Sequence, residues 1–234
     1  MNLKITNLAK IRKADIELNG ITVIAGENNA GKSTVGKALF SIFNAMNHMG
    51  EKLENERENT VLEESYRILQ NLLTDQGVSL SENRRQSYTL AKRLARRIVE
   101  LEKPIDEKKI CVALEDFLKE NDLEGDGSAE FLENMETKLR EVFRVSDEMV
   151  MREVITRWFR RIFEQQITPL VDERPETYLT LEIKGKKIQF SFLEDMCCAC
   201  DSQINILHEA FYIDNPFVID SMSCKDMEDM KKIK

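Results

Sequence analysis

Residues 26–33 read GENNAGKS, and the two flanks of this run differ sharply in pattern. Before it lies ITVIA, a nearly continuous stretch of apolar β-formers at residues 21–25. After it, Val35, Ala38, Leu39, Ile42, Phe43 and Met46 recur at three- and four-residue spacing, which lays one apolar stripe along a helix. A strand, a glycine-containing loop and a helix in that order commit the chain to an α/β fold. The ITVIA run reads as a central strand covered on both faces.

The loop's residue types suit one kind of ligand. Gly26 and Gly31 allow the backbone to curl so that successive N–H groups point inward at an anion, where a Cβ would obstruct approach. The run matches GxxxxGK[ST], the phosphate-binding loop, and so makes Gly26, Glu27, Asn28, Asn29, Ala30, Gly31, Lys32, Ser33 and Thr34 the candidate nucleotide-binding residues. In that role Lys32 bridges the β and γ phosphates and Ser33 is the candidate metal ligand, its hydroxyl on Mg²⁺. Thr34 helps hold the α phosphate, and the positive end of the following helix adds to anion affinity. A chance match has a probability on the order of 1% in a chain of this length, and the flanking strand and helix lower it further. ATP with Mg²⁺ is the expected ligand pair.

Composition sets the outer limits. A chain of 234 residues can bury one substantial core, or one core and a smaller appended domain. Charged residues make up 32%, which points to long solvated helices. The net charge of −8 excludes a uniformly basic surface and leaves local basic stripes open. The amino terminus has no apolar signal region, and no segment approaches 18 uninterrupted apolar residues, so a cytoplasmic protein without a membrane partner is expected. Cys111, Cys197, Cys198, Cys200 and Cys224 are odd in number, as in a reducing compartment. Cys197, Cys198 and Cys200 invite a metal reading with Cys224 or His208. Zinc ligands favour C-x₂₋₄-C pairs and no second such pair exists in the sequence, so reduced thiols packed in or beside a helix are the plainer expectation.

Three segments emerge along the chain. Residues 1–50 carry two half-exposed strands, at 3–5 and 14–18, then a turn at Asn19 and Gly20, the ITVIA strand, the loop and a helix fading near Gly50. Residues 51–166 form a helical insertion with helices at 52–73, 82–102, 106–120, 128–144 and 147–166, broken by Gly77, Pro104 and the turn at Gly125 and Gly127. No heptad survives these breaks, so a compact bundle is expected over a coiled coil. Residues 167–234 return to β structure, with a hairpin around Gly185 (178–183 and 187–192), a polar helix-like stretch, and a buried strand within 209–220 ended by Pro216.

The phrase LKITNLAKIRKADIELNGITVIAGENNAGKSTVGKALFSIF, residues 3–43, resembles the opening of ABC-type ATPase heads of the SMC, RecF and OLD group. The resemblance covers about residues 2–46 and implies a P-loop NTPase lobe in which an antiparallel pair leans against a main parallel sheet. It also implies that Lys10, Arg12 or Lys13 approaches the base or ribose, an ordinary surface charge being the alternative for each. Work in DNA repair, genome maintenance or phage defence, through ATP-driven association with a second copy or a partner head, would follow. Small-molecule kinases and GTPases usually begin with the loop strand itself. No NKxD motif is present, and the DxxG match from Asp122 to Gly125 lies in a polar inter-helix turn.

Hydrolysis in such heads needs a Walker B strand, hhhhDE, and a signature loop. The nearest string, TPLVDE ending at Asp172 and Glu173, is broken by Pro169 and has no signature helix before it. The stretches ending at Asp214 and Asp220 carry Asn215 and Ser221 where the catalytic Glu belongs, and Asn215 better fits the place of the Q-loop. The expectation is therefore the amino-terminal part of a longer ATPase, or one piece of a split one. A non-hydrolysing nucleotide-binding scaffold stays open beside it, with a small-molecule kinase as a third reading. Two arginine-rich helices, 82–102 and 147–166, are candidate nucleic-acid contacts, against solvated faces paired with glutamates. Met149, Ile155, Trp158, Phe159 and Ile162 are expected to pack in a core.

Overall fold

The computed structural model describes residues 1–101, 105–169 and 176–213. Among these the chain is mixed α/β, with six helices and five strands. It divides into two compact units, Met1–His48 with Ile155–Lys234, and Met49–Val154.

The first unit is organised by an antiparallel sheet. Strands β1 (Asn2–Leu8), β2 (Ile11–Glu17), β3 (Thr177–Ile183), β4 (Lys186–Leu193) and β5 (Met196–Ser202) lie in the order β2-β1-β3-β4-β5. Alternation sends one residue in two to a single face. Leu3 opposes Leu181, Ile5 opposes Leu179, and Phe190 and Ile188 continue the row on β4, all of them buried. The other face carries Lys4, Asp15 and Gln189, with Lys4 and Asp15 paired across strands at 3.6 Å. Two of the three two-residue turns, β3–β4 and β4–β5, use two left-handed residues, Lys184 with Gly185 and Glu194 with Asp195, as the strand twist of such a hairpin favours.

Helix α1 (Lys32–Met46) buries Val35, Ala38, Ile42, Ala45 and Met46. The end of α6 (Asp147–Ile162) buries Phe159, whose ring lies 4.7 Å from that of Phe192 and 5.7 Å from that of Phe190. Ile155 and Phe159 are core residues as the sequence leads one to expect, whereas Met149 is exposed.

Three readings of this unit are corrected. Residues 21–25 are not a strand, and Ile21 and Val23 are 95% and 84% exposed. A central strand needs neighbours to take its backbone hydrogen bonds and cover both faces, and no described strand pairs with this segment. Hence the five-stranded sheet is antiparallel throughout and no parallel sheet is present among the described residues. The polar stretch after the hairpin is β5, not a helix; it is an edge strand whose small side chains give a weak alternation signal. Residues 209–213 are irregular rather than a buried strand, and Phe211 and Ile213 are exposed. Tyr212 rests on α1, its ring 6.0 Å from Phe40, and its Cε2 would lie 3.0 Å from a Cβ on Gly36.

The second unit is helical. Helices α2 (Met49–Asp75), α3 (Leu80–Val99), α4 (Glu107–Glu120) and α5 (Ser128–Arg144) converge on one core, in which Leu69, Leu94, Leu114 and Leu139 are fully buried. α1 does not fade near Gly50; it stops at Asn47, and Gly50 lies inside α2. Small and polar residues bring α2 and α3 close. Asn83 Nδ2 donates to the Gln70 carbonyl at 2.9 Å and to Thr74 Oγ1 at 2.8 Å, and Ser87 Oγ donates to Asn83 Oδ1 at 2.7 Å. The buried amide is thus fully used, as burial requires. No helix among the described residues is long and apolar enough to cross a membrane.

Candidate functional site

Gly31 is the N-cap of α1 and holds φ +87°, a left-handed conformation suited to glycine. A Cβ there would lie 2.9 Å from Ile11 Cγ1, so the β1–β2 hairpin backs the loop and leaves no room for a larger residue. A glycine cap has no side chain to satisfy the N–H groups of the first helical turn. Those of Lys32, Ser33 and Thr34 are therefore the ones a helix N-terminus offers to an anion.

The other loop residues shape the turn. Ala30 N–H donates to the Glu27 carbonyl at 3.3 Å, and Asn29 is left-handed at φ 68°. Lys32 Nζ folds back on its own loop, donating to the carbonyls of Gly26 at 2.7 Å and Glu27 at 2.6 Å. Lys10, at the hairpin tip, donates through Nζ to Asn29 Oδ1 at 2.5 Å.

A cavity of about 440 Å³ opens beside this loop. Asn28, Asn29, Gly31, Lys32, Ser33 and Thr34 line it, while Gly26, Glu27 and Ala30 lie outside the lining and act through the loop's internal hydrogen bonds. Lys10 joins the lining, whereas Arg12 and Lys13 do not; both are exposed on β2.

The remaining wall is one the sequence did not reveal. Lys37 of α1 lines it together with Phe163, Glu164 and Gln166, which follow α6. Glu164 and Gln165 are consecutive left-handed non-glycine residues, at φ 51° and 62°, a sparsely populated conformation that needs surrounding support. That support is on hand: Asp195 Oδ1 accepts from Ile167 N at 2.8 Å, Thr168 N at 2.7 Å and Thr168 Oγ1 at 3.0 Å. Ala9 N–H donates to the Ile167 carbonyl at 2.8 Å, tying the same segment to the hairpin tip. The left-handed pair itself gives no sequence signal, since neither residue is glycine or asparagine.

Electrostatically the cavity is cationic, with three ammonium groups, Lys10, Lys32 and Lys37, against one carboxylate, Glu164, whose Oε1 stands 4.0 Å from Lys37 Nζ. Its volume suits a small-molecule ligand, for which pockets run roughly 300–1,000 Å³. Ser33 is the hydroxyl at the loop–helix junction and could serve a cation that brings phosphate oxygens and water as its other ligands, as Mg²⁺ does.

The other candidates are not gathered there. Cys197, Cys198 and Cys200 sit on β5, buried, exposed and half-buried in turn, and the strand lies beside helices: Cys197 N–H donates to Thr156 Oγ1 of α6 at 2.9 Å, and Cys200 Sγ is 4.0 Å from Met46 Sδ of α1. Among the described residues no group of three or more His, Cys, Asp or Glu could hold a metal. Asp122 is exposed in the turn after α4. Asp172, Glu173, Asp214, Asn215, Asp220, Ser221 and Cys224 lie outside the described residues.

No protein-family model matches the chain, and no curated protein or solved structure matches it either.

Proposed function

We propose that this chain binds a nucleoside triphosphate, ATP with Mg²⁺, in the cavity between the 26–34 loop and the 163–166 turn. The observation that carries the reading is the conjunction at Gly31. An uncapped helix N-terminus, a left-handed glycine with no space for a Cβ, and a cavity with three lysines occur at the one place where the sequence reads GENNAGKS. Lys32 would exchange its loop carbonyls for phosphate oxygens, and Ser33 would hold Mg²⁺ together with the phosphates. The antiparallel pair β1–β2 directly before the loop supports assignment to the ABC-type heads of the SMC, RecF and OLD kind, with nucleotide-dependent association with a second head as the working mode.

A second reading, a nucleotide-binding scaffold that does not hydrolyse, is favoured by one feature. Among the described lining residues the sole carboxylate is Glu164, and its Oε1 stands 4.0 Å from Lys37 Nζ, an ion pair. Both readings expect weak binding and negligible turnover from the purified chain.

Calorimetric titration with ATP, ADP and AMP in the presence of Mg²⁺ tests the binding claim. Affinity should rise with phosphate number and fall by tenfold or more in Lys32→Ala, about 1.4 kcal/mol or more. Equal affinity for AMP and ATP, or an unchanged Lys32→Ala, would overturn it. Robust ATP turnover abolished by Lys32→Ala would instead sink the claim that the chain lacks its hydrolytic groups.

A further inference from the structure

The structure separates the two arginine-rich helices. On α6, Arg152 pairs with Glu148 at 3.1 Å, and Arg160 Nε donates to the Asp195 carbonyl at 3.0 Å, so these cations are spent on the fold. On α3 the cations face outward. Residues 83–99 carry Arg84, Arg85, Lys92, Arg93, Arg96 and Arg97 and no Asp or Glu, in a chain whose net charge is −8. Arg97 is tied to Glu120 at 2.6 Å and Asp116 at 3.6 Å, and Arg93 donates to the neutral Asn121 Oδ1 at 2.8 Å. Among the described residues Arg84, Arg85, Lys92 and Arg96 meet no carboxylate within ion-pair distance, and all four are exposed.

Three of these groups are ordered along one ridge with Tyr88, and Arg85 flanks its start. Arg84, Tyr88, Lys92 and Arg96 follow at four-residue steps, a row about 18 Å long at 1.5 Å per residue. The arrangement has a cost, because like charges four apart weaken a helix, and Lys92 with Arg96 and Arg93 with Arg97 are such pairs. Within the row Tyr88 is 53% exposed, and it is not loose. Its ring meets that of Tyr66 edge-on at 6.4 Å, and the Tyr66 hydroxyl accepts from Gln70 Nε2 at 2.8 Å. Tyr88, Lys92, Arg93 and Arg96 line a surface hollow of about 440 Å³, with Glu100 beyond them toward the helix C-terminus.

From this we infer that the outer face of α3 is a binding surface for single-stranded nucleic acid. Arg84, Arg85, Lys92 and Arg96 contact the phosphate backbone, and Tyr88 provides the face on which a base stacks. A row of cations alone fits any polyanion; the oriented, half-exposed ring among them selects a ligand with both phosphates and unpaired bases. Charge complementarity supplies the attraction, and the small residues of the inner face, Ala91 and Ala95, seat the helix firmly against its neighbours. The inference is independent of the nucleotide site.

Fluorescence anisotropy of the full chain with a labelled single strand of about 20 nucleotides tests it, with a duplex of equal length and polyglutamate as further probes. Four phosphate contacts predict a log–log salt slope near −2.8, hence about 50-fold weaker binding from about 50 to about 200 mM salt. The triple variant Arg84→Gln, Lys92→Gln, Arg96→Gln should lose tenfold or more in affinity and flatten that slope, whereas Arg152→Gln should bind as wild type. Tyr88→Leu should weaken single-strand binding about fivefold or more and leave duplex binding unchanged. Glutamine is a good helix former and all three sites are exposed, so helix content should stay constant; if it does not, Tyr88→Leu still decides. Salt-independent binding, an unaffected triple variant, equal capture of polyglutamate, or a Tyr88→Leu protein that loses no single-strand affinity would each overturn the assignment.

Discussion

Ile11 Cγ1 lies 2.9 Å from the point that a Cβ on Gly31 would occupy, and Gly31 itself holds φ +87°. Two separate penalties therefore fall on Gly31→Ala: left-handed backbone costs an L-residue about 1–2 kcal/mol, and the methyl must displace the isoleucine. Denaturant unfolding should show a loss of about 1–3 kcal/mol, with ATP affinity down at least tenfold. The double variant Ile11→Ala, Gly31→Ala should be less destabilised than the sum of its parts, because only the steric share is relieved. Strict additivity would show that the hairpin does not back the loop.

Phe159 predicts a link between core packing and the cavity wall. Its ring is fully buried against Phe192, Phe190 and Phe163, and Phe163 begins the segment that lines the cavity. Phe159→Ala should destabilise by about 3–5 kcal/mol. Phe159→Leu should retain the fold at a smaller cost while still loosening the 163–166 turn. Its ATP affinity should then fall more than that of Thr89→Ala, an exposed change on α3.

Local signals account for what could be read from the sequence. The helices were legible because their ends carry breakers and caps: Gly77 and Gly127 are left-handed, and Asp106 accepts from Lys109 N at 2.9 Å. The hairpin was legible because Lys184 and Gly185 sit between two alternating runs. Where the outcome rested on a distant partner, the reading failed. Residues 21–25 have the composition of a buried strand, but composition states what a segment can bury, not whether a neighbour is there. Of the site, the loop was legible by motif, and Phe163, Glu164 and Gln166 were not, since tertiary packing alone brings them to it.

That failure has its own test. Since Ile21 and Val23 are almost fully exposed, Ile21→Lys and Val23→Lys should each change unfolding free energy by no more than about 0.5 kcal/mol. Ile5→Lys, on the fully buried face of β1, should unfold the first unit. The exposed pair should also gain solubility, since two apolar side chains leave the surface. A large loss in Val23→Lys, read by denaturant midpoint, would show that the segment is covered in solution.

Cys111 offers a prediction with a sign in pH. Its Sγ donates to Glu136 Oε1 at 3.0 Å across α4 and α5. That hydrogen bond first, then burial, then the negative charges of Glu136 and Glu115 raise the thiol above its ordinary value of 9.0. A group held more tightly protonated in the folded state stabilises fully below its unfolded pKa, and the contribution is lost as pH rises through the raised folded value. Serine keeps the donor and does not titrate. The stability of the native protein relative to Cys111→Ser should therefore be constant from about pH 7 to about pH 8 and decline toward about pH 10. Alkylation gives the kinetic side of the same argument, because the thiolate is the nucleophile. At about pH 8 iodoacetamide should label the exposed Cys198 well before Cys111, and Glu136→Gln should speed Cys111 by removing both the acceptor and a charge. Mass spectrometry of timed samples reads both rates, and a Cys111 rate indifferent to Glu136→Gln would rule out the carboxylate as the cause.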